Sequence, residues 1–326
     1  MHYIIRRPWD IPESRHTPEQ VYRDRQRHRR NFLKSIGLTA AGAALTPFVA
    51  GCSRPTDEEI EAAGKVEPLP EAFRSLYPAP RNPDFEYGRD ETARRDAAEY
   101  ANFYEFTTSK EVYRYVGAFD DFPKVLTVDG LCDKPREFDL DDLLQEFALE
   151  ERAYRHRCVE TWAMCVPWTG FPLRALLEEV HPTSDARFVQ FETFRHPDTL
   201  ADSFYPWPYT EGLTIAEAKN ELAFMATGIF GAPLPKQHGT PVRLVVPWKY
   251  GYKSIKSITR ITFTDRQPAT FWNTAGPDEY DFQANVNPEI PHPRWSQASE
   301  WMLGTRERFP TRIYNGYGDY VAKLYT

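Results

Sequence analysis

Proline interrupts this chain 28 times in 326 residues, well above the roughly 5% norm. Each proline fixes φ and removes a backbone donor, so the chain is expected to use irregular, proline-braced connections and few long helices. The core is nevertheless well supplied. Hydrophobic residues make up 41% of the sequence, with 8 Trp, 18 Tyr and 21 Phe, which is too rich for intrinsic disorder. No apolar run reaches the eighteen residues that a membrane-spanning helix needs. The chain also lacks G-x-G-x-x-G, a Walker loop, H-E-x-x-H, G-x-S-x-G and C-x-x-C-H, so nicotinamide, nucleotide, zinc-protease, serine-hydrolase and covalent-haem readings lose their usual support.

Charge divides the chain in two. Residues 1–51 hold nine Lys/Arg against four Asp/Glu, a net of +5, so the total of −7 leaves −12 on residues 52–326. An acidic body speaks against nucleic acid as a partner, because phosphate recognition needs a basic footprint. Within the basic segment, Arg29-Arg30-Asn31-Phe32-Leu33-Lys34 precedes the weakly hydrophobic run 36–50. That order is the pattern of a twin-arginine export signal rather than of a basic arm followed by a core helix. The run ends in Val49-Ala50-Gly51-Cys52, which resembles a lipoprotein cleavage site. Cys52 is then either a lipid anchor or a residue near simple cleavage. Residues 1–52 are accordingly read as the export signal, and a periplasmic location follows. Because the twin-arginine route carries folded proteins, the signal itself hints at a cofactor.

Residues 53–100 are polar and punctuated by Pro55, Pro68, Pro70, Pro78, Pro80 and Pro83, the composition of an arm or linker. Residues 101–326 form the expected catalytic domain. Strands are expected at Val125–Val128, Phe188–Phe194, Val242–Val246 and Ile255–Thr264. Asp139 can cap a short helix through Leu143 and Leu144, and Pro172 opens a second one with Leu173, Leu176, Leu177 and Val180 on one face. Strands outnumber helices without βαβ regularity. The fold class is therefore α+β, mainly β with short helices, in a single catalytic domain.

Apart from Cys52 the chain has Cys132, Cys158 and Cys165, an odd number, so at least one thiol is unpaired or serves another purpose. Cys158 lies in Arg155-His156-Arg157-Cys158-Val159-Glu160-Thr161-Trp162. The flanking arginines would favour the thiolate, the form that attacks or binds a metal; the alternative is a buried, inert cysteine. Lys249, Lys253 and Lys256 taken alone read equally as a solvated face. Trp162, Trp168 and Trp248 read as core or pocket wall rather than as redox relays.

Several ordered motifs then coincide. Arg157-Cys158-Val159-Glu160-Thr161-Trp162, followed by Val166-Pro167-Trp168-Thr169-Gly170, resembles the molybdenum-binding core of the sulfite-oxidase-fold molybdopterin oxidoreductases. The nearest branch is the bacterial periplasmic protein-methionine-sulfoxide reductases. Further matches are Asn102-Phe103-Tyr104-Glu105-Phe106, Phe191-Glu192-Thr193, Gly239-Thr240-Pro241-Val242-Arg243, the run from Val246 to Lys256, Asn285-Val286-Asn287-Pro288 and His292-Pro293-Arg294-Trp295-Ser296-Gln297.

The resemblance implies a sulfite-oxidase-like molybdopterin-binding fold whose cofactor is molybdenum with molybdopterin. By the same resemblance Cys158 ligates the metal, and a soft thiolate suits that role. The resemblance also implies that Tyr104, Glu105, Thr193, His238, Arg243, Ser254, Ile255 and Lys256 contact the pterin. Asn102 and Glu160 are candidate polar groups beside the metal's exchangeable ligands, the other reading of each being a satisfied structural hydrogen bond. Two positions depart from the pattern. Ala101 replaces a second Asn, leaving only a backbone contact, and His238 stands where Asn is usual, adding a group expected to make the contact pH-sensitive.

The activity implied is reduction of methionine sulfoxide, free or within oxidised periplasmic proteins, by a monomeric catalytic subunit. The chain has no haem or iron–sulfur motif of its own, so electrons must arrive from outside, and the resemblance implies a haem-containing membrane partner as their donor. Two alternatives are a sulfite-oxidising molybdoenzyme of the same fold and a metal-free exported binding protein.

Overall fold

Alternation of apolar and polar residues writes the first of two sheets. In the computed structural model, which describes residues 55–195 and 205–326, strand β1 (Val125–Gly130) buries Leu126 and Val128 and turns their neighbours outward. Strand β5 (Phe188–Thr193) does the same with Val189, Phe191 and Thr193. With β2 (Arg136–Asp139), β6 (Thr210–Thr214) and β10 (Ile258–Thr264) they form a five-stranded sheet in the order β2-β1-β10-β5-β6, parallel only at β1–β10. The twin-arginine segment and Cys52 lie outside the described residues.

The second sheet is hidden from pattern-reading. Strand β3 (Glu150–Arg157) reads as a charged stretch, yet residues 152–157 are buried. Most of their polar heads are engaged internally: Arg152 donates to the Tyr154 hydroxyl at 2.8 Å and Arg155 to the Tyr87 carbonyl at 2.9 Å, although Arg155 Nε has no partner. Strand β4 (Trp162–Pro172) is buried almost throughout and shows no alternation, as expected of a strand covered on both faces. Pro167 lacks a donor but keeps its acceptor, which Phe230 uses at 3.0 Å. Around β4 assemble β3, β7 (Phe224–Ile229), β8 (Ala232–Pro233), β9 (Arg243–Val245), β11 (Ser299–Met302) and β12 (Arg308–Pro310).

Short helices fill the gaps: α1 (Asp57–Gly64), α2 (Arg94–Glu99), α3 (Tyr113–Val116), α4 (Leu140–Glu146), α5 (Leu173–Val180), α6 (Ile215–Lys219) and α7 (Phe271–Ala275). Asp139 caps α4 in a reciprocal box with Asp142. Helix α5 buries Leu173, Leu176, Leu177 and Val180, with Pro172 as its N-cap. The architecture is α+β and mainly β. The expected strand 255–264 begins three residues later, at Ile258, because Ser257 takes φ +47° and swings residues 254–256 out of the sheet. That departure carries Lys256 into the cavity described next.

Candidate active site

Strands β3 and β4 pair with Arg157 opposite Ala163, so residues 158–162 make the turn of a hairpin. Cys158 N–H donates to the Trp162 carbonyl and Thr161 N–H to the Cys158 carbonyl, each at 2.9 Å. Thr161 adopts φ +74°, a strained conformation for a β-branched residue, which lets the turn close. The Val159 carbonyl accepts from Trp295 Nε1 and Gln297 Nε2, both at 2.8 Å. The hairpin tip, and with it the Cys158 sulfur, is thus held from outside by the His292-to-Gln297 segment.

The flanking arginines do not activate the thiol. Arg157 folds back onto the Cys158 carbonyl, reaches Gln297 Oε1 at 2.8 Å and pairs with Glu300 at 3.1 Å. Arg155 is engaged by Tyr87. Burial first, and the neighbouring Glu160 carboxylate second, push the Cys158 thiol up to about 12. At neutral pH this sulfur is a protonated thiol until a cation displaces the proton.

Cys158 lines a cavity of ≈ 830 Å³, counted with its open mouth. Two of the expected polar groups stand beside it. Asn102 Nδ2 lies 3.6 Å from the sulfur and 3.2 Å from Glu160 Oε2, and Glu160 N–H points at the sulfur from 3.5 Å. Lys110 joins them, donating to Asn102 Oδ1 and to both oxygens of Glu160 at 2.8 and 2.6 Å. Burial raises the Glu160 carboxyl, but the Lys110 ammonium, with hydrogen bonds from Asn102 and Trp162, outweighs it and holds the group below its ordinary value.

Two cations line the same cavity. Arg243 is 2% exposed; its guanidinium lies over the Trp168 ring at 4.7 Å and donates hydrogen bonds to carbonyls, those of His238 at 3.1 Å, Ser254 at 2.9 Å and Leu244 at 3.4 Å. Burial without a carboxylate partner lowers Arg243 to about 9. Lys256, half-buried, donates to the Asn102 carbonyl, and its ammonium is pulled down first by desolvation and then by the Arg243 charge, with the Glu105 carboxylate opposing both. Burial drives the Glu105 carboxyl upward. Tyr104, Glu105, His238, Arg243, Ser254, Ile255 and Lys256 all line the cavity; Thr193 does not, its hydroxyl being donated to the Ser257 carbonyl at 2.9 Å.

His238 departs from its expected pH-sensitivity. Burial, with the Arg243 and Lys256 charges, drops it to about 3, so it is neutral throughout the physiological range, and its buried Nε2 has no partner. Lys249 and Lys253 form no solvated face: they pair with Glu217 at 2.5 Å and Glu211 at 2.7 Å, all four side chains being buried. Cys132, Cys158 and Cys165 are free thiols. Cavity residues that sequence reasoning missed include Tyr209, Trp272, Tyr280 and His156. His156 had a signal, since it precedes Cys158 by two on an extended strand and therefore shares its face. Gly251 packs against that imidazole so closely that a Cβ would sit 2.4 Å from Nε2.

The cavity suits an anionic, metal-carrying group. Among the described residues no cluster of three His, Cys, Asp or Glu could hold a metal ion, so the chain's own donor is one thiol and a bound metal needs a carrier supplying further ligands. Arg243 is a buried guanidinium and Lys256 a half-buried ammonium, neither hydrogen-bonded to a carboxylate, and His238 Nε2 is an unpartnered buried polar atom in the lining of the same cavity. A phosphate-bearing pterin satisfies all three.

Known proteins agree in kind. Residues 122–272 match the family described as oxidoreductase molybdopterin binding domain. The protein-methionine-sulfoxide reductase catalytic subunit MsrP of Burkholderia mallei is 43% identical over 324 residues, 97% of this chain and 93% of that protein. The corresponding subunit of Ralstonia nicotianae is 42% identical over 330 residues, covering 97% and 94%. Among solved structures, the sulfane dehydrogenase SoxCD of Paracoccus pantotrophus gives a TM-score of 0.48 at 16% identity, over 80% of this chain and 64% of that one.

Proposed function

This chain belongs to the family of protein-methionine-sulfoxide reductase catalytic subunits, and we propose that it reduces methionine sulfoxide to methionine at a molybdopterin-held molybdenum. The overall change consumes two electrons and two protons and releases the sulfoxide oxygen as water. When bound, the molybdenum supplies the two-electron oxygen acceptor. The observation that carries the reading is the Cys158 sulfur sharing one cavity with Arg243 and Lys256, two cations that hydrogen-bond to carbonyls rather than to carboxylates.

The chain's residues divide the remaining work. Cys158 holds the metal through its sulfur. Arg243, Lys256 and His238 bind the cofactor's anionic and polar edges, and the Ser254-Ile255-Lys256 run lines the same wall. Asn102 Nδ2 offers a donor beside the sulfur, and a sulfoxide oxygen is a strong acceptor. At the cavity wall the ring centroids of Tyr104 and Trp272 lie 5.0 Å apart and those of Trp272 and Tyr280 5.1 Å. These faces suit the S-methyl end of the substrate and exclude water from it.

The proposal extends to place and partner. The Arg29-Arg30 pair with its Phe32-Leu33-Lys34 continuation supports export to the periplasm, and Cys52 supports a lipid tether. The catalytic-subunit names of the relatives support a partner subunit, which in this reading is a haem-containing membrane protein that delivers the electrons; free or protein-bound methionine sulfoxide is the substrate. Elemental analysis joined to a sulfoxide-reduction assay tests the core of the reading. Wild type should carry stoichiometric molybdenum and turn over, whereas Cys158→Ser should lose both. A Cys158→Ser protein with full metal and full turnover refutes it.

A further inference from the structure

Lys110 lies outside the cavity lining yet touches both polar groups at its metal end. The chain brings it there by folding back on itself: the Ala101 N–H donates to the Lys110 carbonyl at 2.9 Å, and Thr107 N–H to Phe103 at 3.1 Å. Residue 110 consequently hangs over residue 102. Its ammonium donates to Asn102 Oδ1 and to both Glu160 oxygens. An ammonium has three donors and no acceptor, so the amide must turn its oxygen to Lys110. The amide nitrogen is thereby aimed at the Cys158 sulfur, 3.6 Å away, and at Glu160 Oε2, 3.2 Å away.

We propose that Lys110 is a positioning residue that fixes the Asn102 amide with its N–H toward the Cys158 sulfur and keeps the Glu160 carboxylate paired beside it. This rests on the reading of Cys158 as the molybdenum ligand. A donor aimed at a ligand sulfur withdraws electron density from it, and hydrogen bonds to ligating sulfur are a recognised control on reduction potential. Lys110 therefore acts on the metal without touching it, through Asn102. The Asn102 backbone is held separately, by Lys256 on its carbonyl, so removing the Lys110 head leaves the loop anchored. The Lys110 and Glu160 side chains are 25% and 31% exposed, so the carboxylate that a neutral replacement leaves without its cation still reaches solvent.

The test uses the molybdenum-loaded protein and reads the midpoint potential of the metal couple beside kcat and KM. Lys110→Met should keep wild-type molybdenum content and melting temperature. Its potential should fall below wild type, and kcat should drop on the order of tenfold with KM little changed, the usual size of an outer-shell effect. Lys110→Arg, which keeps a cationic donor, should restore both. Asn102→Leu, which removes the N–H without adding charge, should shift the potential in the same direction as Lys110→Met. A wild-type potential in Lys110→Met, or an equal shift in Lys110→Arg, overturns the proposal; where Lys110→Met cannot be loaded, a wild-type potential in Asn102→Leu does so. Failure of the underlying reading is a different result, namely wild type without molybdenum or Cys158→Ser with it.

Discussion

At the scale of single residues, environment overrules identity. His238 is a histidine by sequence and a neutral polar group in the fold, because burial and two nearby cations hold it at about 3. The consequence for stability has a definite sign. The unfolded chain takes up a proton on this residue near pH 6.5, while the folded metal-free chain refuses it until about 3. Stability is thus lost as pH falls through that window, at up to about 1.4 kcal/mol per pH unit from this group. Replacing it by the untitratable His238→Asn should flatten the pH dependence of the unfolding free energy between about pH 6 and 4 by up to one proton. Urea titrations of metal-free protein at several pH values check this, and equal slopes in the two proteins would exclude it. Sequence placed this residue on the cavity wall but missed its charge state, which depends on Arg243 and Lys256, near in space and distant in the chain. Cys158 shows the same limit: its arginine neighbours in sequence turn away from the sulfur and bind carbonyls and Glu300.

At the scale of elements, what was legible is what repeats. The alternation of β1 and β5 and the helical spacing of α5 report a single buried face, and those elements stand where the pattern puts them. The hairpin bearing Cys158 was invisible by the same rule. Strand β3 hides behind charged heads that hydrogen-bond inside the protein, and β4 has no exposed face to alternate with. The motif residues were found, but not the hairpin that presents them. The closeness of β4 to β7 provides a test. A Cβ on Gly170 would sit 2.0 Å from the Met225 carbonyl oxygen and 2.8 Å from Ala226 Cα. Neither atom belongs to a side chain that can swing away. Gly170→Ala should therefore cost at least about 2 kcal/mol, in the upper part of the overpacking range, and lower the melting temperature by several degrees. Gly318→Ala, whose Cβ meets only Tyr314 Cδ2 at 3.8 Å, is the control and should melt within a degree or two of wild type.

At the scale of the whole molecule, one buried network ties the cavity loop to both sheets and to the C-terminal end. Lys249, which follows β9 in the second sheet, donates to Glu217 of α6, which follows β6 in the first, at 2.5 Å. Tyr325 closes the set: its hydroxyl donates to Glu217 at 2.6 Å and accepts from Trp248 Nε1 at 2.8 Å and from Lys249 at 3.0 Å. Burial raises the Glu217 carboxyl, but Lys249 and Tyr325 together hold it below its ordinary value. Its contribution is therefore present above about pH 4.5 and lost as pH falls through the lowered folded value. Removing one partner strands the other. Lys249→Met leaves a buried carboxylate without its cation, and at neutral pH it should cost roughly 3–5 kcal/mol. Tyr325→Phe removes one hydroxyl and should cost about 1–2 kcal/mol. Glu217→Gln keeps an acceptor for the Thr214 N–H at the start of α6 while discharging the site. The double variant Lys249→Met/Glu217→Gln should consequently be less destabilised than the two single losses added together, by roughly 0.5–3 kcal/mol. Urea unfolding of the four proteins closes the cycle. Strict additivity would mean that Lys249 and Glu217 act independently, and that the loop bearing Ser254, Ile255 and Lys256 is held by its own backbone bonds rather than by a tie spanning both sheets.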